Sequence, residues 1–232
     1  MKTEPETLKT FAIFSAFSII MLANVFGTAV HAADTARYEV RFDATWTADS
    51  HPLDYPAGAH FSGLIGATHG HDYHVFKDGG TATDGLEALS ERGSHSPLNT
   101  EIEAAVKAGK AGALFESSPL FEFPGSIKTT FRADTAHPYV SVVAMIAPSP
   151  DWFAGISNIS LRKDGKWVEK ATYTLYAWDA GTDNGTTYTA PDDNTMPRQS
   201  VRLNAAPQFR GADGMKPVGS VTFTRIQKTA SN

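Results

Sequence analysis

The chain has 232 residues, a formal net charge of −5, 41% hydrophobic residues and no cysteine. That length and hydrophobic content fit one sizeable domain with a real core, while the mild acidity and the lack of any basic run interleaved with aromatics exclude a nucleic-acid binder. The missing cysteines exclude a disulfide scaffold, so an exported chain of this kind has to rely on its core and on any metal it binds.

Residues 1–32 read as a secretory signal: Lys2 and Lys9 flank the start, an apolar stretch runs from Phe11 to Phe26, and Val30-His31-Ala32 offers small residues at positions −3 and −1 before Ala33. The apolar stretch is short for a bilayer, so no stable membrane span is expected after cleavage, and the product is secreted or periplasmic. Glu4 and Glu6 make the start less basic than usual, which keeps an uncleaved anchor as the alternative. The mature domain then covers 33–226, and 227–232 form a polar tail with little reason to be ordered.

Ala36–Trp46 is the clearest strand: Tyr38, Val40, Phe42, Ala44 and Trp46 alternate with Arg37, Glu39, Arg41, Asp43 and Thr45. The next stretch, Ala48–Gly80, reads as irregular and carries His51, His60, His69, His71 and His74. Neutral imidazole is a common zinc or copper ligand. This H-x-H-x-x-H run nevertheless lacks the H-E-x-x-H spacing and comes without cysteine, which favours structural or surface histidines. Two short helices follow, Gly85–Arg92 capped by Thr83-Asp84 and Glu101–Lys110 capped by Asn99 or Thr100. Ile102, Ala105 and Val106 share one face of the second, and Gly109 and Gly112 end it. Both helices are expected to cover an open end or edge of a sheet.

Strands resume after Pro124-Gly125 with Ser126–Ala133 and Tyr139–Ala147, the latter apolar on both sides and so an interior strand leading into Asp151. Trp152–Leu161 and Lys166–Trp178 then read as a hairpin closed by Lys163-Asp164-Gly165, which returns the chain to Asp179 at the edge it left. Asp151, Asp179 and Asp183 thereby share a neighbourhood. Gathered carboxylates repel unless a cation or an arginine neutralises them. Gly181 and Gly185 let the loop fold back, and a set of oxygens alone suits calcium. The pattern itself leaves two readings open, solvated turn formers or ligands of a hard cation. Gln199–Leu203 and Gly219–Ile226 supply the last strands, around a flexible loop at Asn204–Pro217. Asn158-Ile-Ser160 and Asn184-Gly-Thr186 match the glycosylation pattern only by chance, one lying in a strand and the other in the acidic loop.

Several segments resemble the spondin domain, the N-terminal module of F-spondin and mindin. They are Ser149-Pro-Asp-Trp-Phe, Gly155-Ile-Ser-Asn-Ile-Ser-Leu, Trp178-Asp-Ala-Gly-Thr-Asp-Asn-Gly-Thr-Thr-Tyr and Pro197-Arg198, with His51-Pro, His60-Phe-Ser-Gly-Leu-Ile-Gly-Ala-Thr-His69 and Leu89-Ser-Glu-Arg-Gly93 upstream. The likeness runs from about Arg37 to Ile226. It implies a mainly β fold, an antiparallel β-sandwich of C2-like type with one or two short covering helices, and a calcium ion between the end loops. Asp151, Asp179 and Asp183 fall on the family's calcium positions. Ala177 departs from the family's usual proline before Trp-Asp and removes no ligand. The resemblance also implies an extracellular protein or glycan as partner, through adhesion at the matrix or cell surface. It reads His51, His60 and His69 as loop-packing residues.

No G-x-S-x-G elbow, P-loop, G-x-G-x-x-G or cysteine nucleophile occurs, so no catalytic residue is assigned and the chain is read as a non-enzyme. The alternative is a metal-dependent hydrolase of extracellular glycans using the acidic loop or the histidine cluster. A third reading makes calcium purely structural and puts the binding face at loop aromatics such as Tyr55, Trp152 or Tyr188, provided that they are exposed rather than packed.

Overall fold

A computed structural model describes residues 1–2 and 34–226. The expected signal at 1–32, beyond its first two residues, and the expected tail at 227–232 lie outside the described residues. In chain order the elements are β1 (Thr35–Ala44), β2 (His60–Phe61), β3 (Ile65–His69), α1 (Asp84–Arg92), α2 (Leu98–Lys107), β4 (Ala111–Glu116), β5 (Gly125–Asp134) and β6 (Tyr139–Ala147). There follow β7 (Trp152–Ser160), β8 (Arg162–Lys163), β9 (Lys166–Trp167), β10 (Lys170–Leu175), β11 (Ala177–Asp179), β12 (Arg202–Leu203), β13 (Arg210–Gly211), β14 (Gly214–Met215) and β15 (Gly219–Ile226).

Two antiparallel sheets face each other. One has the order β10-β15-β1-β5, the other β12-β11-β7-β6-β3-β4 with β2 also on β6. The strict alternation of β1 puts Tyr38, Val40, Phe42 and Ala44 on the inner face, where they meet Val140, Val142, Ala144 and Ile146 of β6 in one core. The other face of β6 is apolar too, because a second core of Val143, Ile65, Ala67 and Phe153 packs under Leu86, Leu89, Leu98 and Ile102 of the helices. The helices therefore cover the outer face of the larger sheet, not an end or edge as expected. Thr83 caps α1 by accepting from the Leu86 N–H, and Gly93 closes it with φ 63°. Helix α2 begins three residues earlier than expected, at Leu98, with no side-chain cap.

Three other expectations need correction. Ile65–His69, read as irregular, is an interior strand, and Ala111–Glu116 pairs beside it. With all five residues of β3 buried, no alternation marks it as a strand. The long hairpin is not one hairpin: the Asp164-Gly165 turn joins only the two-residue strands β8 and β9. β10 crosses to the opposite sheet to pair with β15, and β11 returns to β7. The period-two pattern runs unbroken through this exchange of sheets, so it cannot reveal it. Finally, the loop at Asn204–Pro217 is pinned rather than loose. It carries a turn of 3₁₀ helix and the β13–β14 ribbon, and its Phe209 is fully buried against Trp152 and Tyr188.

Candidate metal centre

Asp151 closes the turn between β6 and β7, which Ser149 holds by accepting from the Trp152 N–H at 3.1 Å. Across the ladder, Asp179 pairs with Trp152 at the end of β11, so the two carboxylates do meet at one end of the larger sheet. The expectation holds although the chain reaches Asp179 by way of the other sheet. The following loop folds over Asp151. Its Oδ2 accepts the N–H groups of Thr182 at 2.8 Å and Asp183 at 3.3 Å, and the Ala180 N–H donates to its backbone carbonyl. Gly181 allows this fold-back with φ 73°, and a Cβ there would lie 2.4 Å from the Gln199 carbonyl oxygen.

The second oxygen of Asp151, Oδ1, is buried and has no hydrogen-bond partner, in a residue with no solvent exposure. Burial, and then the neighbouring Asp179 charge, push this carboxyl up to about 6. Asp179 is raised by burial as well, opposed by Arg202, which donates to its Oδ2 at 2.9 Å. Asp183 is almost fully buried. Its Oδ1 accepts from Gly185 and its Oδ2 from the Asp193 N–H at 2.8 Å. A return segment, Asp193–Gln199, straps the loop through Asn184, Thr195 and Gln199 N–H donors.

Among the described residues, no three His, Cys, Asp or Glu side chains gather tightly enough to hold a metal ion by themselves. An ion here would need main-chain carbonyls or water besides the aspartates, as calcium commonly uses. The donors on hand fit that demand: they are oxygens, they are anionic, and one of them is buried without a partner.

Sequence reasoning gave no role to three neighbours of the site. Glu91 of α1 has a side chain only 8% exposed, and its Oε1 is buried without a partner. Burial raises its carboxyl while Thr182 acts the other way, which places it against the back of the acidic loop. Thr182 and Arg202 are the other two. The only available signal was that Glu91 lies in the Leu89–Gly93 segment carrying the family resemblance, since helix spacing alone makes it a surface residue.

The histidines do not converge on a metal. His51 is buried, its Nδ1 bonded to Ser50 Oγ and its ring against Phe209, and burial lowers it to about 4. His60 rests on Phe121. His69 has both ring nitrogens engaged, by the Gly70 carbonyl and Ser141 Oγ. His71 is exposed beside Asp72, and His74 lines a cavity on the flank of the sandwich. Trp152 and Tyr188 are packed in the core and Tyr55 is half-buried on Trp46, so these aromatics offer no open face.

Comparison with known proteins agrees with this architecture. The family model Spondin_N matches residues 36–209, a span that contains all three aspartates. Spondin-2 from Rattus norvegicus is 33% identical over 207 residues, 84% of this chain and 63% of the relative. Spondin-2 from Homo sapiens is 31% identical over 207 residues, and Spondin-1 from Rattus norvegicus is 34% identical over 177 residues, 74% of this chain but 22% of the relative. The chain thus spans less than two thirds of the length of these relatives. A match of that extent, laid over an antiparallel sandwich of this kind, places the chain in the spondin N-terminal domain family.

Proposed function

We propose that the domain is an extracellular calcium-binding recognition module, exported to the periplasm or beyond, in which one calcium ion orders the loops at the end of the larger sheet. Asp151, Asp179 and Asp183 would hold the ion together with main-chain oxygens of the same loops. The observation that carries this reading is the buried, unpartnered Oδ1 of Asp151 beside a second carboxylate. A lone anionic oxygen out of water is costly unless a cation or donors meet it. When bound, calcium supplies that countercharge. The protein's part is to hold Asp151 rigidly at the end of an interior strand and to fold the Ala180–Gly185 loop over it by hydrogen bonds from Thr182 and Asp183.

Membership in the spondin family supports adhesion or recognition outside the cell, with a protein or glycan as partner. Among the described residues no helix is long and apolar enough to cross a membrane. In the acidic loop each carboxylate is held by backbone donors or by Arg202, an arrangement unlike a catalytic acid–base pair. The test is calorimetric titration of calcium into the EDTA-stripped chain beside an Asp179→Asn, Asp183→Asn double variant. Saturable binding by the wild type alone, with both proteins folded, is expected. No heat from the wild type would sink the metal reading.

A further inference from the structure

Both helices lie on the larger sheet, whereas the smaller sheet, β10-β15-β1-β5, sends polar side chains outward from every strand. The register sets these side chains in rows. Arg37 of β1 stands directly beside Arg132 of β5, and Arg41 stands beside Lys128 four residues along, about 13 Å away. Lys170 of β10 flanks Thr224 in the row between them. The β8–β9 ribbon adds a third like-charge pair, Lys163 opposite Lys166. Asp34 ties that ribbon to the start of β1, accepting from the Trp167 indole N–H at 3.0 Å and from the Arg162 guanidinium at 3.3 Å.

Like charges directly opposite each other on a sheet, with Cβ atoms about 4.5–5.5 Å apart, oppose folding. Neighbouring carboxylates could relieve this, but they are taken. Asp34 pairs with Arg162, Glu39 with Lys128, Asp43 with Arg41, Asp134 with His137 and Glu169 with Arg225. Among the described residues Arg37, Arg132, Lys163, Lys166 and Lys170 have no ion pair, and all five are exposed. Asp164, in the ribbon turn, is left to offset them. A chain of net charge −5 thus keeps an excess of positive charge on one face. The aspartate loops lie at the other end of the sandwich, since β5 ends at Asp134 near the start of β6, and Asp151 follows the end of β6, about 30 Å along that strand.

We propose that this face binds a linear acidic polysaccharide, one that carries sulfates or carboxylates along its length. Its cations are spread over several rows rather than gathered round one point, which suits a repeating polyanion and not a single small anion. Between them stand the hydroxyls of Thr130, Thr172, Thr222 and Thr224, which can exchange hydrogen bonds with those of a sugar chain. Among the described residues the face exposes no aromatic ring on which a nucleobase would stack, and Ile226 is its one exposed large apolar side chain, too little to enter a membrane. Like the proposed function, this reading requires that the domain recognises something outside the cell, but it needs none of the three aspartates.

The test is calorimetry on the full chain in EDTA, at about 50 mM and about 200 mM salt. Dextran sulfate and uncharged dextran share a backbone and differ in charge; polygalacturonate supplies carboxylates, and phosphatidylglycerol vesicles and duplex DNA are the other polyanions. An Arg37→Ser, Arg132→Ser variant and a Lys163→Ser, Lys166→Ser variant each remove one like-charge pair, so neither is expected to melt below the wild type. Lys77→Ser with Arg210→Ser removes two exposed cations elsewhere. Saturable binding to at least one acidic polysaccharide is expected, with none to dextran and weaker binding at the higher salt. Affinity should fall about fivefold in each face variant and less than about twofold in the Lys77, Arg210 control. No binding to either acidic polysaccharide at the lower salt, equal binding to dextran, an equal loss in the control, or tighter binding to the vesicles or DNA overturns the proposal. Calcium uptake by a chain that binds no polysaccharide overturns this proposal and leaves the metal reading, and polysaccharide binding by a chain that takes up no calcium does the reverse.

Discussion

Replacing Asp151 by asparagine isolates the electrostatics of the acidic loop. The new side chain keeps an oxygen for the Thr182 and Asp183 N–H groups and loses the charge. In the metal-free protein the Asp151 carboxyl is raised from an ordinary 3.8 to about 6, so the folded state holds this proton more tightly than the unfolded one. Below about pH 4 both states are protonated and no penalty exists. As pH rises from 4 to 6 the penalty grows, and above 6 it is complete, at about 3 kcal/mol for a carboxyl with no solvent exposure. Part of this is offset in the variant by the new amide N–H₂, which inherits the place without a partner, at about 1–2 kcal/mol. In EDTA at pH 8, Asp151→Asn is therefore expected to be about 1–2 kcal/mol more stable than wild type, or about 2–8 °C in Tm for a domain of this size, and to lose that advantage by pH 4. Calcium reverses the order: at a hundredfold excess over Kd it stabilises the wild type by about 2.7 kcal/mol and the variant not at all. Urea unfolding at pH 4, 6 and 8, with EDTA or with calcium, measures all of this. A variant less stable than wild type in EDTA at pH 8, or one that calcium stabilises equally, would refute the reasoning.

His51 gives the opposite pH arm. It is fully buried with its folded value lowered to about 4 against an ordinary 6.5, so its contribution is intact above pH 6.5 and is lost as pH falls towards 4, by up to about 3 kcal/mol. His51→Gln should flatten acid unfolding followed by circular dichroism, and an unchanged acid midpoint would show that His51 does not control it. Gly181→Ala forces a side chain onto φ 73° and against the Gln199 carbonyl. It is expected to cost more than about 1 kcal/mol in urea unfolding and to weaken calcium uptake, because the same loop carries the N–H donors of Asp151.

Particular residues show where sequence reasoning reached its limit. The β1 alternation, the boundaries of Tyr139–Ala147 and Gly219–Ile226, and the Thr83 cap were legible, since each is fixed by local periodicity or by a side chain bonding its own backbone. The proximity of Asp151 to Asp179 was legible too, though for an incomplete reason. A strand that ends at Leu175 and another that begins at Ala177 share one alternating pattern, and only the sheet each side chain packs into separates them.

What the sequence determined by itself was a mainly β domain of the spondin type with three aspartates in its end loops, because strand alternation, turn chemistry and the Trp-Asp-Ala-Gly-Thr-Asp run are properties of short stretches. Only the tertiary structure decided which oxygen of Asp151 lacks a partner, that Glu91 on a distant helix backs the same loop, and that β10 leaves its neighbours in sequence for the opposite sheet. Burial and hydrogen-bond pairing depend on segments far apart in the chain arriving at one place, and no local pattern encodes that arrival.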